Sequence, residues 1–253
     1  MGIEFLHHRW PVFYADNHLL ALYKPAGLLA QGDDSGDVCL LDLARRWVKQ
    51  RYQKPGNVFL GLVHRLDRPV AGVMIFARTS KAAARLSAAL RSRETRKCYW
   101  AVLEGRPPSA AGVLADQIER DGRASRIVSG RSATSREARL SYRLLEAGAG
   151  RSLVAVELET GRRHQIRLQF ARRGSPILGD VRYGASAPMP LRQIALFAKE
   201  LSVVHPTRKE TLTFVSPLPV GWPWPGIAPE ASAPLWNWSD FPIRPPTASR
   251  PGT

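Results

Sequence analysis

Short apolar runs of strand length, each closed by a turn, constrain this chain more than any other feature. Residues 19–23 are stopped by Lys24-Pro25-Ala26-Gly27, where proline and glycine mark a turn. Residues 59–63 and 72–77 flank the loop His64-Arg65-Leu66-Asp67-Arg68-Pro69. The runs 98–103, 139–145, 152–158, 194–204 and 210–215 read as further strands, and Ala147-Gly148-Ala149-Gly150 predicts a hairpin. Helical patterns are confined to 38–52, 81–90 and 163–172. Thr79 or Ser80 suits the N-cap of the second, and Gly161 and Gly174 bound the third. Strands and helices without regular βαβ alternation predict an α+β fold, a single domain with a mixed, mainly antiparallel sheet flanked by helices.

The 253 residues can bury a substantial core. The composition divides them into an N-terminal extension over 1–15, one domain over 16–217 and a Pro/Trp-rich tail over 218–253. The prolines of that tail rule out regular elements. Trp222 and Trp224 are expected to pack on the domain, and the last ten or so residues to be mobile.

Thirty-seven Lys and Arg face 21 Asp and Glu, a net charge of +16, which directs attention to polyanionic partners such as nucleic acid. Arginine predominates, and its planar fork suits phosphate contacts and stacking on bases. No apolar run approaches the ~20 residues that span a bilayer. The first residues lack the apolar core of a secretory signal, so the expectation is a cytoplasmic protein without a membrane partner. Cys39 and Cys98 lack metal-type spacing and read as small core residues, and the pair His7-His8 has no nearby ligand partners. No metal site is expected.

Two segments carry chemistry. In the first, Asp67 lies between two apolar strands with Arg65 and Arg68 beside it, and a positioned aspartate can serve as nucleophile or general base. A loop salt bridge is the plain alternative. The second is Glu159-Thr160-Gly161-Arg162-Arg163-His164-Gln165-Ile166-Arg167-Leu168, where glycine permits a sharp turn into a basic helix. Helical spacing would place Arg163 and Arg167 on one face. A basic surface helix is the alternative here.

Together, in this order, the two segments resemble the RluA family of RNA pseudouridine synthases. The resemblance runs from about Asp16 to Pro217. It begins with Asp16-Asn17-His18-Leu19-Leu20 and Lys24-Pro25-Ala26-Gly27-Leu28, and continues through His64-Arg65-Leu66-Asp67 with Gly72. Lys97-Cys98-Tyr99-Trp100-Ala101-Val102-Leu103-Glu104-Gly105, then Thr160-Gly161-Arg162 with His164-Gln165-Ile166-Arg167, and finally Gly174 to Asp180 with Tyr183-Gly184 extend it. By this resemblance Asp67 would be the catalytic aspartate, Tyr99 would stack on the target base, and Arg167 would pair with Asp67. Arg65 would help extrude the target nucleotide, while His64, Arg68, Arg162, His164 and Gln165 would contact the substrate. The implied activity isomerises uridines of structured ribosomal or transfer RNA by base flipping, with no cofactor.

The chain departs from many members of that family. Val70-Ala71 stand where many have Thr-Ser, and Leu168-Gln169-Phe170 replace a stretch that often carries histidine. The small N-terminal RNA-binding domain of many relatives is expected to be missing, and the protein is expected to be a monomer. Two rival readings are a non-catalytic RNA-binding ribosome-assembly factor and a glycoside hydrolase pairing Asp67 with Asp180.

Overall fold

The computed structural model describes residues 4–6, 10–122, 124–219 and 221–224. In chain order its elements are β1 (Glu4–Phe5), β2 (Pro11–Ala15), β3 (Leu19–Lys24), α1 (Leu40–Arg51), β4 (Gly61–Leu62), β5 (Ala71–Ala77), α2 (Ser80–Arg91) and β6 (Arg96–Glu104). There follow β7 (Ala111–Asp121), β8 (Ala124–Val128), β9 (Arg136–Gly148), β10 (Arg151–Leu158), α3 (Gln165–Ala171), β11 (Leu196–Val204) and β12 (Thr211–Val215). Single 3-10 turns occupy Val181–Tyr183 and Pro190–Arg192.

All the described strands join one sheet, in the order β1-β2-β3-β5-β11-β6-β10-β9-β7-β8, with β12 beside β11 and β4 beside β5. Every pairing is antiparallel except that of β11 with β5. The mixed, mainly antiparallel sheet flanked by helices is therefore the α+β architecture that the apolar runs imply.

Strand β3 up to Tyr23 and the whole of β5 are apolar because both of their faces are covered. Leu20, Leu22, Met74 and Phe76 join Leu40, Leu43, Ala44 and Val48 of α1 in the main core. Leu19, Ala21, Val73, Ile75 and Ala77 meet Ala82 and Leu86 of α2 on the other side. Thr79 caps α2, its hydroxyl accepting the Ala82 N–H at 3.1 Å. The hairpin between β9 and β10 turns at Ala149 and Gly150, both at positive φ.

Several boundaries differ from expectation. The strand predicted over 59–63 is ordered only at Gly61–Leu62, and Phe59 is exposed. Its edge of β5 is shared: β4 pairs at Phe76 and Ala77, β11 pairs at Ala71 and Gly72, and His64 takes the Ile75 N–H between them. The helix predicted over 163–172 starts at Gln165, because His164 adopts a left-handed conformation (φ 57°). Arg163 therefore lies before the helix and does not share a helical face with Arg167. Gly161 is not the left-handed residue of this turn. Cys39 is buried, but Cys98 is only half-buried, since it faces the Arg96–Glu157 side of β6.

Of the C-terminal segment, Trp222 packs with its ring 5.8 Å from Phe197, and buried Trp224 donates its indole N–H to Glu146 at 2.7 Å. His7, His8 and the final residues lie outside the described residues. Among the described residues, no helix is long and apolar enough to cross a membrane.

Candidate active site around Asp67

Asp67 sits in the loop between β4 and β5, in a tight turn where its carbonyl accepts the Val70 N–H at 3.0 Å. The loop then enters β5 at Gly72, whose φ is 132° and whose missing side chain lets the backbone pass close to Ala198. A Cβ at this position would lie 2.3 Å from the Ala198 carbonyl oxygen. Glycine is thus required at the point where the loop joins the sheet.

A second anchor comes from below. Lys24, fully buried at the end of β3, donates to the carbonyls of Val70 at 2.7 Å, Pro25 at 2.9 Å and Arg68 at 3.2 Å. Three acceptors match the three protons of an ammonium. Burial pulls this group down to about 7, against the attraction of Asp67. The turn 25–28 is also tied to the Asp67 loop, by Gly27 N–H to the Arg68 carbonyl at 2.8 Å and Arg68 Nε to the Gly27 carbonyl at 2.9 Å.

The Asp67 carboxylate meets α3. Arg167 Nη1 donates to its Oδ2 at 3.0 Å, and His164 Nε2 lies 3.5 Å from the same oxygen. Arg167 is itself buried and held on its other side by Asp180, through Nε at 2.7 Å and Nη2 at 2.8 Å. Its guanidinium lies 4.9 Å from the centre of the Tyr183 ring. Despite the desolvation of its charge, the two carboxylates raise the Arg167 pKa. Burial pushes His164 down to about 4; Asp67 opposes this, while Arg167, Arg163 and Arg182 add to it. A neutral His164 accepts the Tyr183 hydroxyl at Nδ1, 2.6 Å away, and turns an N–H at Nε2 toward Asp67.

Two open grooves meet at this carboxylate. One, of about 1200 Å³, carries Arg65, Arg68, Arg120, Arg163 and Arg182 on its walls. The other, of about 650 Å³, carries Tyr99, His64, Arg93, Lys97 and Arg162. Burial raises the Tyr99 hydroxyl pKa, and Asp67 adds to this, so the ring faces the carboxylate as a neutral phenol.

The structure therefore brings Asp67, Tyr99, Arg167, His64, Arg65, Arg162 and His164 to the walls of one groove. Arg68 lines the other, with its Nη2 2.8 Å from Asp37. Gln165 is different in kind. It is buried, its Oε1 accepts from Thr160 Oγ1 at 2.8 Å and Arg162 N–H at 2.9 Å, and its Nε2 donates to the Arg139 carbonyl at 3.0 Å. It too lines the Tyr99 groove, but both lone pairs of Oε1 and one of the two Nε2 protons are taken up in shaping the turn. Asp180 is 2% exposed with both oxygens on Arg167, which leaves it unable to serve beside Asp67 as the second carboxylate of a glycosidase. Lys24 and Tyr183 are parts of the site that the sequence reading placed only within the family motifs, and Asp180 was weighed there only as the second carboxylate of a glycosidase. The run Gly179-Asp180 with Tyr183-Gly184 held a signal, since it places an acid and an aromatic hydroxyl in one turn.

The sequence profile of the RNA pseudouridylate synthase family matches residues 18–172. The chain is 34% identical to an uncharacterised RNA pseudouridine synthase of Synechocystis over 82% of its own length and 65% of the relative's. It is also 34% identical to the ribosomal large subunit pseudouridine synthase D of Xylella fastidiosa, covering 82% of this chain and 66% of that one. The chain thus spans about two thirds of the length of these curated relatives. Among solved structures it is similar to human RNA pseudouridylate synthase domain containing 4, with a TM-score of 0.70, 26% identity, and coverage of 83% of this chain and 89% of that one. The Asp67 loop, the Tyr99 strand and α3 all fall within the matched region, and the chain belongs to the RNA pseudouridylate synthase family.

Proposed function

We propose that the protein isomerises uridine to pseudouridine in structured ribosomal or transfer RNA, with Asp67 as the catalytic carboxylate. The observation that carries this reading is a carboxylate fixed by a buried arginine where two basic grooves meet, with a tyrosine ring in one of them. The reaction breaks the bond from N1 of uracil to the sugar and makes one from C5. The proton lost from C5 is balanced by the one gained at N1, so no cofactor or outside acceptor is required.

In this reading the target leaves its stack, at a cost of a few kcal/mol that loops and bulges reduce. Its base lies against Tyr99, and its sugar faces Asp67. Arg167 keeps the carboxylate oriented, and neutral His164 supports the same oxygen. Arg65, exposed in both grooves, contacts the nucleotides beside the target as it is extruded. Arg68, Arg162 and His64 line the path of the RNA. Gln165 we assign mainly to the turn, because it is buried and three of the four hydrogen-bonding capacities of its amide are taken within the protein.

Pseudouridine mapping on total RNA from cells with and without the gene tests the proposal. Loss of one or a few sites, restored by the wild type and not by Asp67→Asn, is the expected result. If every site persists, and purified protein fails on ribosomal and transfer RNA while still binding them, the protein is a non-catalytic RNA-binding factor.

A further inference from the structure

The floor of the Tyr99 groove holds a group that the proposed reaction does not use. Lys97 is 9% exposed and lies two residues before Tyr99 on β6, on the same face of the strand. The intervening Cys98 and the preceding Arg96 face the other way, where Arg96 pairs with Glu157 at 3.2 Å and Glu200 at 2.9 Å. Among the described residues, nothing accepts a hydrogen bond from Lys97 Nζ and no carboxylate pairs with it. Gly161 lies over the ammonium, and a Cβ there would sit 3.8 Å from Nζ, so the missing side chain leaves the charge within reach of the groove.

The surroundings are cationic. Arg93 and Arg162 line the same groove, and burial together with these two charges pulls the Lys97 pKa down. The carboxylates of that groove are engaged elsewhere. Asp67 is held by Arg167, and Glu159 lies 2.9 Å from Arg139 Nε and 3.8 Å from Arg93. A partly desolvated ammonium without a protein acceptor is costly to the folded chain. An arriving anion removes that cost.

We infer that Lys97, with Arg93 and Arg162 at the rim, forms a phosphate subsite for the RNA backbone next to the nucleotide seated on Tyr99. The inference rests on the proposed substrate class and adds a residue that fixes the register of the strand. Two residue steps separate Lys97 from Tyr99, about 6.6 Å along β6, a span that suits a base and a phosphate on either side of it. A desolvated ammonium in such a place reads the charge of the backbone and not its sequence.

Competition against fluorescently labelled polyuridylate tests the subsite on wild-type protein, using uridine, uridine 5′-monophosphate, uridine 3′-monophosphate and inorganic phosphate. At least one monophosphate is expected to compete about tenfold better than uridine, an advantage worth about 1.4 kcal/mol. That gain is expected to vanish in Lys97→Gln and to survive in Lys97→Arg. In a salt series, Lys97→Gln is expected to lower the slope of log affinity against log salt by about 0.7, one phosphate contact on a single strand. The subsite is overturned if neither monophosphate outcompetes uridine, or if the gain and the slope persist in a folded Lys97→Gln protein. It is likewise overturned as an RNA site if inorganic phosphate alone competes as well as the nucleotides. Should Lys97→Gln fail to fold, the wild-type competition still decides. None of these readouts needs turnover, so phosphate dependence without pseudouridine formation would remove the proposed reaction and leave the subsite standing.

Discussion

Asp180 grips Arg167 through Nε and Nη2, which leaves only the outward Nη1 to reach Asp67 at 3.0 Å. The catalytic candidate is thus aimed by an acid that never touches the groove. Removing one partner of a buried ion pair leaves the other uncompensated, at a cost of about 3–5 kcal/mol. Asp180→Asn keeps Asp67 as a carboxylate partner of the guanidinium, so a loss toward the lower end of that range is expected in urea denaturation. The guanidinium would also lose its fixed orientation, and small misplacements near a reacting group cost about 100-fold in rate. A folded Asp180→Asn protein that makes pseudouridine at the wild-type rate would refute the positioning role.

Gly72 marks where the Asp67 loop enters the sheet. Gly72→Ala would combine a φ of 132° with a Cβ 2.3 Å from a carbonyl oxygen and 2.6 Å from the Ala198 side chain. Backbone strain and overpacking each cost up to about 3 kcal/mol. The variant is expected to lose at least about 3 kcal/mol, read as a large fall in melting temperature or as insoluble expression. Wild-type stability would show that β11 yields at this point.

How much of this was legible beforehand depends on how local the cause was. The central strands were readable because two-sided burial makes them continuous apolar runs, and α2 because Thr79 supplies its own cap. The pairing of Asp67 with Arg167 came from resemblance, since no pattern links residues one hundred positions apart. The start of α3 was misplaced because Gln165, folded back on Thr160 and Arg162, sets it, and periodicity does not register such a bond. Strand β2 was passed over, having proline at its start and mixed burial. The stub at β4 is shortened by competition for one edge of β5, a tertiary effect.

Lys24 illustrates the same limit. In sequence it looks like the polar end of a strand, but its ammonium is buried beneath carbonyls 44 and 46 residues away. Lys24→Met keeps the volume and strands the acceptors, each at about 1–3 kcal/mol when buried. A loss of about 3 kcal/mol or more in urea denaturation is expected. Reduced turnover at a temperature where the variant is still folded would show that the Asp67 loop has loosened. A variant as stable and as active as the wild type would mean that the carbonyls find other donors.

Half-buried His64 and buried His164 give a signed pH dependence. Burial pushes His64 and His164 down to about 4, from about 6.5 in an unfolded chain. Between these values the unfolded chain binds more protons than the folded one. Stability is therefore full above pH 6.5 and is lost as the pH falls toward 4. His64 also has a structural reason to stay neutral, because Nε2 accepts the Ile75 N–H at 3.0 Å and protonation would abolish that acceptor. Melting temperature is expected to fall as pH drops from 7 to 5, a window that lies above most carboxylate titrations. His64→Gln offers an amide oxygen to Ile75 and does not titrate, so it is expected to remove about half of that fall. If the wild-type melting temperature stays level across the window, the unfolded chain takes up no extra protons and the imidazoles are not held neutral by burial.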